Sequence, residues 1–507
     1  MPYEAFREYN VIVKDASKTD ILFGLCYPST YRAGMAGLAI HLFYSLLNMR
    51  SDTSCERYFR YDTRSPVNSV ETGRPLASNH IIGFSLTYEE DILGLIQMLD
   101  KGEVAIRTED RKDDDPIVLV GGPVVSANPE PYVDFVDAFV IGEGDLVIHS
   151  IMDSLSDVSS RMEALQALSE IEGVYVPAIP QGKIARLTMH DFESLFHPTS
   201  QVIADVEEDS NLASVFGRSL LVEVSRGCGH SCKFCLVGHI CRPRRVRSIE
   251  RLLSIIETGL KETPVNKVSL IASSLGDLDN LENLAEWIVE RDLQISAPSL
   301  RADRVTPTLL GLLKKGGQRT LTIAPETGSY QLRKKMGKGL DDEAIFNAGT
   351  YAKEVGLSSI KAYFIIGLPE ETDEDVVAIG TMVKRLAEET GLRVIASVNP
   401  FIPKAHTRWQ REAQTNLEVL RGRVKLLEKS LRNVPRTNIE TLDIRSSRIQ
   451  GALSVGDRRI GEVIRLAAAY GGLGGWRRAE KETGIPFFEI AGNPNRYSES
   501  LPWDFIL

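Results

Sequence analysis

Short apolar runs alternate with helical patterns over the first 155 residues. Each run is followed by glycine, proline or polar residues, as is typical of buried parallel strands. The strand-like runs are residues 21–28, 81–87, 117–122 and 137–145, the last of which is predicted to end at Asp145. The helix-like segments between them include 33–49 and 89–102. This alternation predicts a doubly wound, Rossmann-like α/β domain over residues 1–155.

A second alternation begins at Leu220 and extends to about residue 410. Its apolar runs are residues 220–225, 267–273, 293–299, 319–325, 359–367 and 392–401. Six strand-and-helix units in a row predict a partial parallel barrel, (β/α)6, over residues 218–410. Residues 156–217 form a connector, in which we expect a helix at 161–170 and short strands at 173–177 and 183–189.

The remaining residues, 411–507, predict a small helical and mixed region. Leu417, Leu420, Val424, Leu427 and Leu431 recur at steps of three and four, which is the pattern of an amphipathic helix. The rest of this region is rich in glycine and arginine and too short for an enzymatic domain of its own.

Composition narrows the class of protein. The chain has 507 residues, 43% of them apolar, which favours two to four domains with substantial cores. The formal charge is −10, so nucleic acid is not indicated as a partner. The longest apolar stretch, 33–49, is interrupted by polar residues and is too short for a membrane span. The charged N-terminus does not resemble a signal peptide, and we expect a cytoplasmic protein.

Three of the six cysteines stand close together in the segment SRGCGHSCKFC. Cys228, Cys232 and Cys235 follow the strand-like run 220–225, at the end where parallel barrels carry their chemistry. Clustered thiols without a secretory signal indicate a metal site. A structural zinc would need a fourth ligand, for which His230, His239 and Cys241 are the nearby candidates. The alternative is a four-iron cluster that leaves one iron open for chemistry.

The C-x3-C-x2-C spacing, with Phe234 before the last cysteine, resembles the radical S-adenosylmethionine (SAM) superfamily. The resemblance implies that Cys228, Cys232 and Cys235 hold a [4Fe-4S] cluster and that SAM binds the open iron. It also implies an enzyme that cleaves SAM reductively to functionalise an unactivated carbon. A reducing partner, such as flavodoxin or ferredoxin, would supply the electron.

Further motifs resemble the subgroup that includes methylthiotransferases, the Elongator catalytic subunit and cobalamin-dependent methylases. These motifs are PSLRAD at 298–303, APETGSYQLRKKMGKGL at 324–340 and FIIGLPEET at 364–372. By this resemblance Ser299 and Arg301 would hold the SAM carboxylate or ribose, and Glu326 would face the same pocket. Gly367 and Leu368 would lie against the adenine, with Asn399 nearby.

The resemblance departs from the family after the second barrel strand. The family carries a Gly-Gly-Glu-like stretch there for the SAM amino group, whereas this chain has SSLGD at 273–277. Ser273 and Ser274 could accept the same hydrogen bond through hydroxyl or carbonyl oxygens.

The N-terminal domain resembles the cobalamin-binding domain of B12-dependent radical SAM enzymes. The resemblance rests on its position and on GGPVVSANPEP at 121–131 and VIGEGD at 140–145. Many cobalamin domains supply a histidine to cobalt from D-x-H-x-x-G, but here CYPSTYRAGMAG has none and His41 lies inside the following helix. Two alternatives stay open: cobalamin binds between the domains without a histidine ligand, or the domain has kept the fold and lost the cofactor.

Three hypotheses on function follow. With cobalamin, we expect methyl transfer to an unactivated carbon; without it, a radical rearrangement or coupling. Sulfur insertion is disfavoured because the sequence has no second cysteine cluster. The third hypothesis is a non-enzymatic Fe–S or zinc scaffold, which would not need Arg301. For the arginines of CRPRRVRS we favour ion pairs over a nucleic-acid site, and the substrate is not indicated.

Overall fold

The computed structural model describes residues 6–60, 65–156, 158–207, 209–497 and 500–507. The strands are β1 Glu8–Tyr9, β2 Ile21–Tyr27, β3 Thr53–Phe59, β4 Ile81–Ser85, β5 Ile117–Gly121, β6 Ala138–Val140, β7 Val174–Tyr175, β8 Ile203–Ala204, β9 Leu220–Glu223, β10 Ser225–Arg226, β11 Arg245–Val246, β12 Lys267–Ile271, β13 Gln294–Ser296, β14 Thr320–Glu326, β15 Ser359–Ile366, β16 Arg393–Pro400 and β17 Thr437–Thr441. The helices are α1 Tyr31–Gly34, α2 Leu38–Met49, α3 Asp91–Lys101, α4 Pro123–Ala127, α5 Ile148–Ser154, α6 Arg161–Ser169, α7 Val237–Ile240, α8 Ile249–Glu262, α9 Leu281–Glu290, α10 Pro307–Lys315, α11 Tyr330–Lys335, α12 Asp342–Glu354, α13 Asp373–Thr390, α14 Leu417–Leu431, α15 Ile444–Val455, α16 Gly461–Tyr470 and α17 Gly472–Thr483.

The N-terminal domain is built on one twisted sheet in the order β3-β2-β4-β5-β6-β7. Its first five strands are parallel, and β7 runs antiparallel to β6. The chain moves from β2 outward to β3 and then returns to β4 on the other side, so the strand order reverses between β2 and β4. In sheets of this kind ligands bind in the crevice at this reversal, outside the carboxyl ends of the strands.

Two apolar cores cover the two faces of this sheet, as a doubly wound domain requires. One core contains side chains of α2, α5 and α6, such as Leu46 and Leu165. The other contains α3 together with α15, α16 and α17, where Ile96 belongs to the same cluster as Ile464 and Trp476. The C-terminal region from α15 onward therefore completes the N-terminal domain instead of standing apart from it.

The second domain is built on parallel strands, as the predicted partial barrel requires. Its strands form sheets of order β13-β12-β9 and β14-β15-β16-β17, which a single bridge between Leu300 and Ile323 connects. The six strands predicted from the sequence are all present, and β17 adds a seventh that pairs with β16. The predicted amphipathic helix is α14, which buries Leu420, Leu427 and Leu431.

Besides the missed strand β17, four details of the prediction were wrong. The strand expected over 137–145 ends at Val140, and the glycine-rich segment after it leads into a short 3-10 helix, Gly144–Leu146. The residues 183–189 make only isolated bridges, not a strand. The helix expected over 33–49 is interrupted at Gly37, which caps α2. Strand β3 was missed because its charged residues, although buried, break the apolar pattern.

Within the described ranges, no helix is both long enough and apolar enough to cross a membrane.

Candidate active site

The cysteine loop is an excursion from a two-stranded ribbon. Strands β10 and β11 pair antiparallel, with Arg226 opposite Arg245, and the chain between them carries the three cysteines. Gly227 begins the loop with a φ of 79°, and a Cβ there would lie 1.9 Å from the carbonyl oxygen of Cys241. Only glycine combines this left-handed backbone with so close an approach.

The three thiols lie on one loop and are partly buried. Cys228, Cys232 and Cys235 are all free, and the main-chain amide of Cys235 donates to the carbonyl of Cys232 at 3.1 Å. Burial raises the pKa of Cys232 to about 11, although the nearby cations Lys338 and Arg301 favour its thiolate. Burial also raises the pKa of Cys235, and the charge of Cys228 acts in the same direction.

This donor set fits an iron–sulfur cluster. Among the residues that the structure describes, no three His, Cys, Asp or Glu side chains converge closely enough to hold a single metal ion. A four-iron cluster sets a different requirement, because each of its cysteines binds a separate iron atom through a thiolate. Three neighbouring thiols on one loop, with two cations beside them, meet that requirement.

The loop is held by the segment that follows β14 and by the segment that follows β16. The amide of Lys233 donates to the carbonyl of Met336 at 2.8 Å, and the amide of Trp409 donates to the carbonyl of Lys233 at 3.1 Å. Phe234 packs against an apolar cluster that contains Leu368, Met336, Phe401 and Trp409. The predicted adenine contact Leu368 is therefore brought to the cysteine loop.

Arg301 and Glu326, two residues predicted for the SAM pocket, lie beside Cys232. Both contribute to the electrostatic environment of its thiol. Glu326 is buried and forms an ion pair with Lys338 at 2.7 Å, and its φ of 70° is unusual for a residue other than glycine. Arg301 pairs with Asp303 at 2.8 Å and also reaches the carbonyl of Lys338 at 3.5 Å. The left-handed backbone of Glu326 is strained, and strain of this kind is found mainly at functional sites.

The SSLGD segment contacts the cysteine loop through Asp277. The Ser274 hydroxyl donates to a carboxylate oxygen of Asp277 at 2.6 Å, and the same oxygen lies 2.7 Å from Nε2 of His230. Ser273 is exposed directly after β12, and Ser299 is exposed after β13. Asn399 lies in β16 opposite Ile365 of β15. The roles of these residues toward SAM stay predictions.

Gly367 terminates β15 in a turn that is fixed by residues around it. Its φ is 76°, its amide donates to Glu371 at 2.5 Å, and its carbonyl accepts from the Thr415 hydroxyl at 3.0 Å. Glu371 also forms an ion pair with Arg423 of α14 at 2.7 Å. Burial raises the pKa of Glu371 to about 7, although Gly367 and Arg423 both oppose that shift.

A cavity of about 310 Å³ lies between the two domains. On one side it is bounded by the carboxyl ends of β2, β4, β5 and β6 and by α2, where Leu38, Ala39 and Phe43 line it. On the other side it is bounded by Glu223, Arg226 and Ile271, at the ends of the first barrel strands. The cavity therefore occupies the crevice where the N-terminal sheet reverses its strand order.

His41 does not line this cavity. Its side chain is buried in α2, with Nε2 3.2 Å from the carbonyl oxygen of Met35. Burial lowers the pKa of His41 to about 4, so the ring is neutral at pH 7. Within the described part of the chain, the residues lining the cavity include no histidine.

Comparison with known proteins identifies the family. The model of the radical SAM superfamily matches residues 222–383, and the model described as "Radical SAM proteins, N-terminal" matches residues 39–177. An uncharacterised protein of Methanocaldococcus jannaschii is 31% identical over 447 residues, which are 87% of this chain and 90% of that protein. The chain belongs to the radical SAM superfamily. This radical SAM enzyme is also 27% identical over 327 residues to an uncharacterised methyltransferase of Pyrococcus horikoshii, covering 62% of this chain and 68% of that one.

Solved structures share the fold of this radical SAM enzyme. The methyltransferase TsrM from Kitasatospora setae, with cobalamin and a [4Fe-4S] cluster bound, superposes with a TM-score of 0.57 at 14% identity, over 91% of this chain and 98% of that one. The cobalamin-dependent enzyme OxsB, with aqua-cobalamin and SAM bound, gives a TM-score of 0.55 at 17% identity, over 93% and 72% of the two chains. Each of these two proteins thus shares the fold over more than nine tenths of this chain.

The sequence did not identify several residues of this radical SAM site. An ion pair was one of two alternatives for Lys338, but the sequence did not indicate Glu326 as its partner. Glu143 forms ion pairs with both Arg226 and Arg245, across the two domains. Arg245 thus makes the ion pair favoured for CRPRRVRS, whereas Arg242 and Arg244 donate to main-chain carbonyls.

Proposed function

We propose that this radical SAM enzyme binds cobalamin in the cavity between its domains and transfers a methyl group to an unactivated carbon. The observation that carries the proposal is the position of the cavity. It lies at the reversal of the parallel sheet and reaches the ends of β9 and β12. It also contains Arg226, two residues before the first cysteine of the cluster loop. A cofactor there would lie next to the SAM site.

The cavity walls are mainly apolar and suit contact with one apolar face of a ring system. Most of the lining side chains are aliphatic or aromatic, among them Phe23, Leu42 and Leu119. Gly121, Gly142 and Gly144 also line it, and their lack of side chains leaves main chain accessible at the strand ends. The walls offer cobalt no histidine, so we propose binding without a histidine ligand.

In this proposal the protein's own residues bind and orient the reactants. When bound, the cluster would supply one electron for the reductive cleavage of one SAM molecule, and cobalamin would carry a methyl group taken from a second SAM molecule. Arg301 and Ser299 would hold the carboxylate or ribose of SAM, and Gly367 and Leu368 would face the adenine. The apolar cluster around Phe234 excludes water from one side of the cysteine loop.

We also propose that an acidic one-electron carrier, such as flavodoxin or ferredoxin, reduces the cluster in the cytoplasm. Lys233 lies within the cysteine loop, and Lys334 and Lys335 are exposed on α11, whose end contacts that loop. Positive charge near the cluster would attract such a carrier. The six free thiols suit a reducing compartment.

Cofactor stoichiometry in matched variants tests the proposal. The protein is purified and reconstituted anaerobically with iron, sulfide and hydroxocobalamin, and iron and corrinoid per chain are measured after gel filtration. We expect about four irons and one corrinoid for the wild type. Ala39→Trp fills the cavity and should abolish corrinoid while keeping iron; Ala167→Trp on α6, away from the cavity, is the control.

The reverse pattern is expected for Cys228→Ala, which should lose iron and keep corrinoid. Four irons without corrinoid in the wild type would reject cobalamin and favour a cobalamin-independent rearrangement or coupling. Corrinoid that remains bound to Ala39→Trp would place the cofactor elsewhere.

A further inference from the structure

We infer that Glu143 is a positioning residue that couples occupancy of the interdomain cavity to the geometry of the cysteine loop. The inference rests on the proposed function only for the identity of the occupant, cobalamin. It assigns a role to one carboxylate of the N-terminal domain that the chemistry of SAM does not itself require.

Glu143 joins both strands of the ribbon that carries the loop. Arg226 of β10 and Arg245 of β11 stand opposite each other, and each donates to a different oxygen of this carboxylate, at 2.9 and 2.5 Å. All three side chains are largely buried, so solvent screens the contacts little. The carboxylate therefore fixes the two ends of the loop relative to the N-terminal domain.

The Glu143 end of this connection is rigid. Its amide donates to the carbonyl of Leu187 at 3.1 Å, and one of its carboxylate oxygens accepts from the amide of Met189 at 3.2 Å. The preceding Gly142 has a φ of 104°, and a Cβ there would lie 2.3 Å from the carbonyl oxygen of Leu187. The segment therefore has little freedom to follow a displaced ribbon.

The same residues form the cavity wall. Glu143, Asp145, Glu223 and Arg226 all line it, and Arg226 also pairs with Asp145 at 3.1 Å and with Glu223 at 2.9 Å. An occupant that contacts this wall must change the energies of these ion pairs. Since Arg226 is followed directly by Gly227 and Cys228, the change reaches the first cysteine of the loop within two residues.

Coupling of this kind is reciprocal. If a ligand in the cavity alters SAM binding at the cluster, SAM must alter the affinity of the cavity by the same factor. Glu143→Gln keeps the shape of the side chain but removes its charge. Arg245 then loses its ion pair and keeps its bonds to the carbonyl oxygens of Cys241, Pro243 and Met189, while Arg226 keeps its ion pair with Asp145. The ribbon is therefore held less firmly to the N-terminal domain.

The first test measures hydroxocobalamin affinity of reconstituted protein with and without SAM. We expect the two dissociation constants of the wild type to differ at least about fivefold, and those of Glu143→Gln to differ less than about twofold. Glu130→Gln is the control, because it removes the charge of another buried carboxylate, which pairs with the exposed Arg458 of the C-terminal region. It should keep the wild-type ratio. Equal ratios in wild type and Glu143→Gln would overturn the inference.

The second test does not need cobalamin. The electron paramagnetic resonance spectrum of the reduced cluster and the dissociation constant of SAM are compared in protein without corrinoid. Glu143→Gln should broaden the spectrum and weaken SAM binding about fivefold or more, whereas Glu130→Gln should not. If neither the wild type nor any variant binds cobalamin, the proposed function is wrong. The inference on Glu143 is then tested by the spectrum of the reduced cluster alone. If Glu143→Gln does not fold, Glu143→Asp, which keeps the charge on a shorter side chain, is measured in its place. An unchanged spectrum in the variant that is measured would refute the inference.

Discussion

Replacement of Gly227 by alanine tests whether the backbone at the start of the cysteine loop is essential. The left-handed φ of 79° costs alanine about 1–2 kcal/mol. The new Cβ would also overlap the carbonyl oxygens of Cys241 at 1.9 Å and of Pro243 at 2.8 Å. Overpacking of this kind costs about 1–3 kcal/mol, so we expect a total of about 2–5 kcal/mol.

The neighbours cannot move aside easily. The carbonyls of Cys241 and Pro243 both accept hydrogen bonds from Arg245, which Glu143 holds in place. We therefore expect the loop itself to be displaced. Gly227→Ala should hold less than half of the wild-type iron after anaerobic reconstitution and desalting. Amides of the loop should exchange with solvent about 30-fold to several thousandfold faster, as the free-energy cost requires.

Gly484→Ala separates backbone strain from overlap. Its φ is 69°, but a Cβ there would meet no atom within 4 Å, so this substitution carries only the backbone cost. We expect it to keep wild-type iron. Equal iron loss in both variants, or full iron in Gly227→Ala, would refute the close approach on which the reasoning depends.

Three further predictions concern stability. Lys338→Met leaves the buried Glu326 unpaired and should lower the free energy of unfolding, measured by urea titration, by about 3–5 kcal/mol. The control, Lys334→Met, replaces an exposed lysine and should lower it by less than about 0.5 kcal/mol. Equal effects of the two substitutions would contradict the ion pair. Burial lowers the pKa of His41 to about 4 and of His197 to about 3, so the unfolded chain binds protons that the folded one excludes. Stability should therefore fall as the pH drops from about 6.5 toward 4. His406, whose pKa burial lowers to about 4, acts in the same direction, whereas Glu371, whose pKa burial raises to about 7, opposes it. His197→Gln should reduce the slope by about 1.4 kcal/mol per pH unit, the contribution of one proton; an unchanged slope would contradict it. Trp503→Ala should lower the free energy of unfolding by about 3–5 kcal/mol, because the ring is fully buried and its N–H donates to the side-chain oxygen of Gln410. A negligible decrease would show that the C-terminal segment is not part of the core.

Strands with an unbroken apolar pattern could be predicted from the sequence. The six barrel strands of the second alternation and four strands of the first were found in this way. Strand β3 could not be, because Glu56 and Arg57 interrupt its pattern; both are buried, and their charges are paired with residues distant in sequence. Strand β17 was missed for the opposite reason, since it is largely exposed at the edge of the sheet and its sequence, TNIET, is mostly polar.

Some features of the site could likewise be predicted from the sequence, and others could not. The cysteines were identifiable because their spacing is local, and Arg301 and Glu326 lie in motifs next to predicted strands. The contacts of Glu143 with Arg226 and Arg245 could not be predicted, since they join segments about a hundred residues apart across two domains. The association of the C-terminal helices with the N-terminal sheet could not be predicted either. The amphipathic pattern shows that a helix has a buried face, but it does not show which partner covers that face.

The central claim is that Cys228, Cys232 and Cys235 hold a four-iron cluster with one iron open to SAM. The most direct measurement is the electron paramagnetic resonance spectrum of dithionite-reduced, anaerobically reconstituted protein, recorded before and after addition of SAM. We expect a reduced [4Fe-4S] signal whose g-values shift when SAM is added, and the loss of that signal in Cys232→Ala. Zinc in place of iron, or a spectrum that SAM leaves unchanged, would contradict the account.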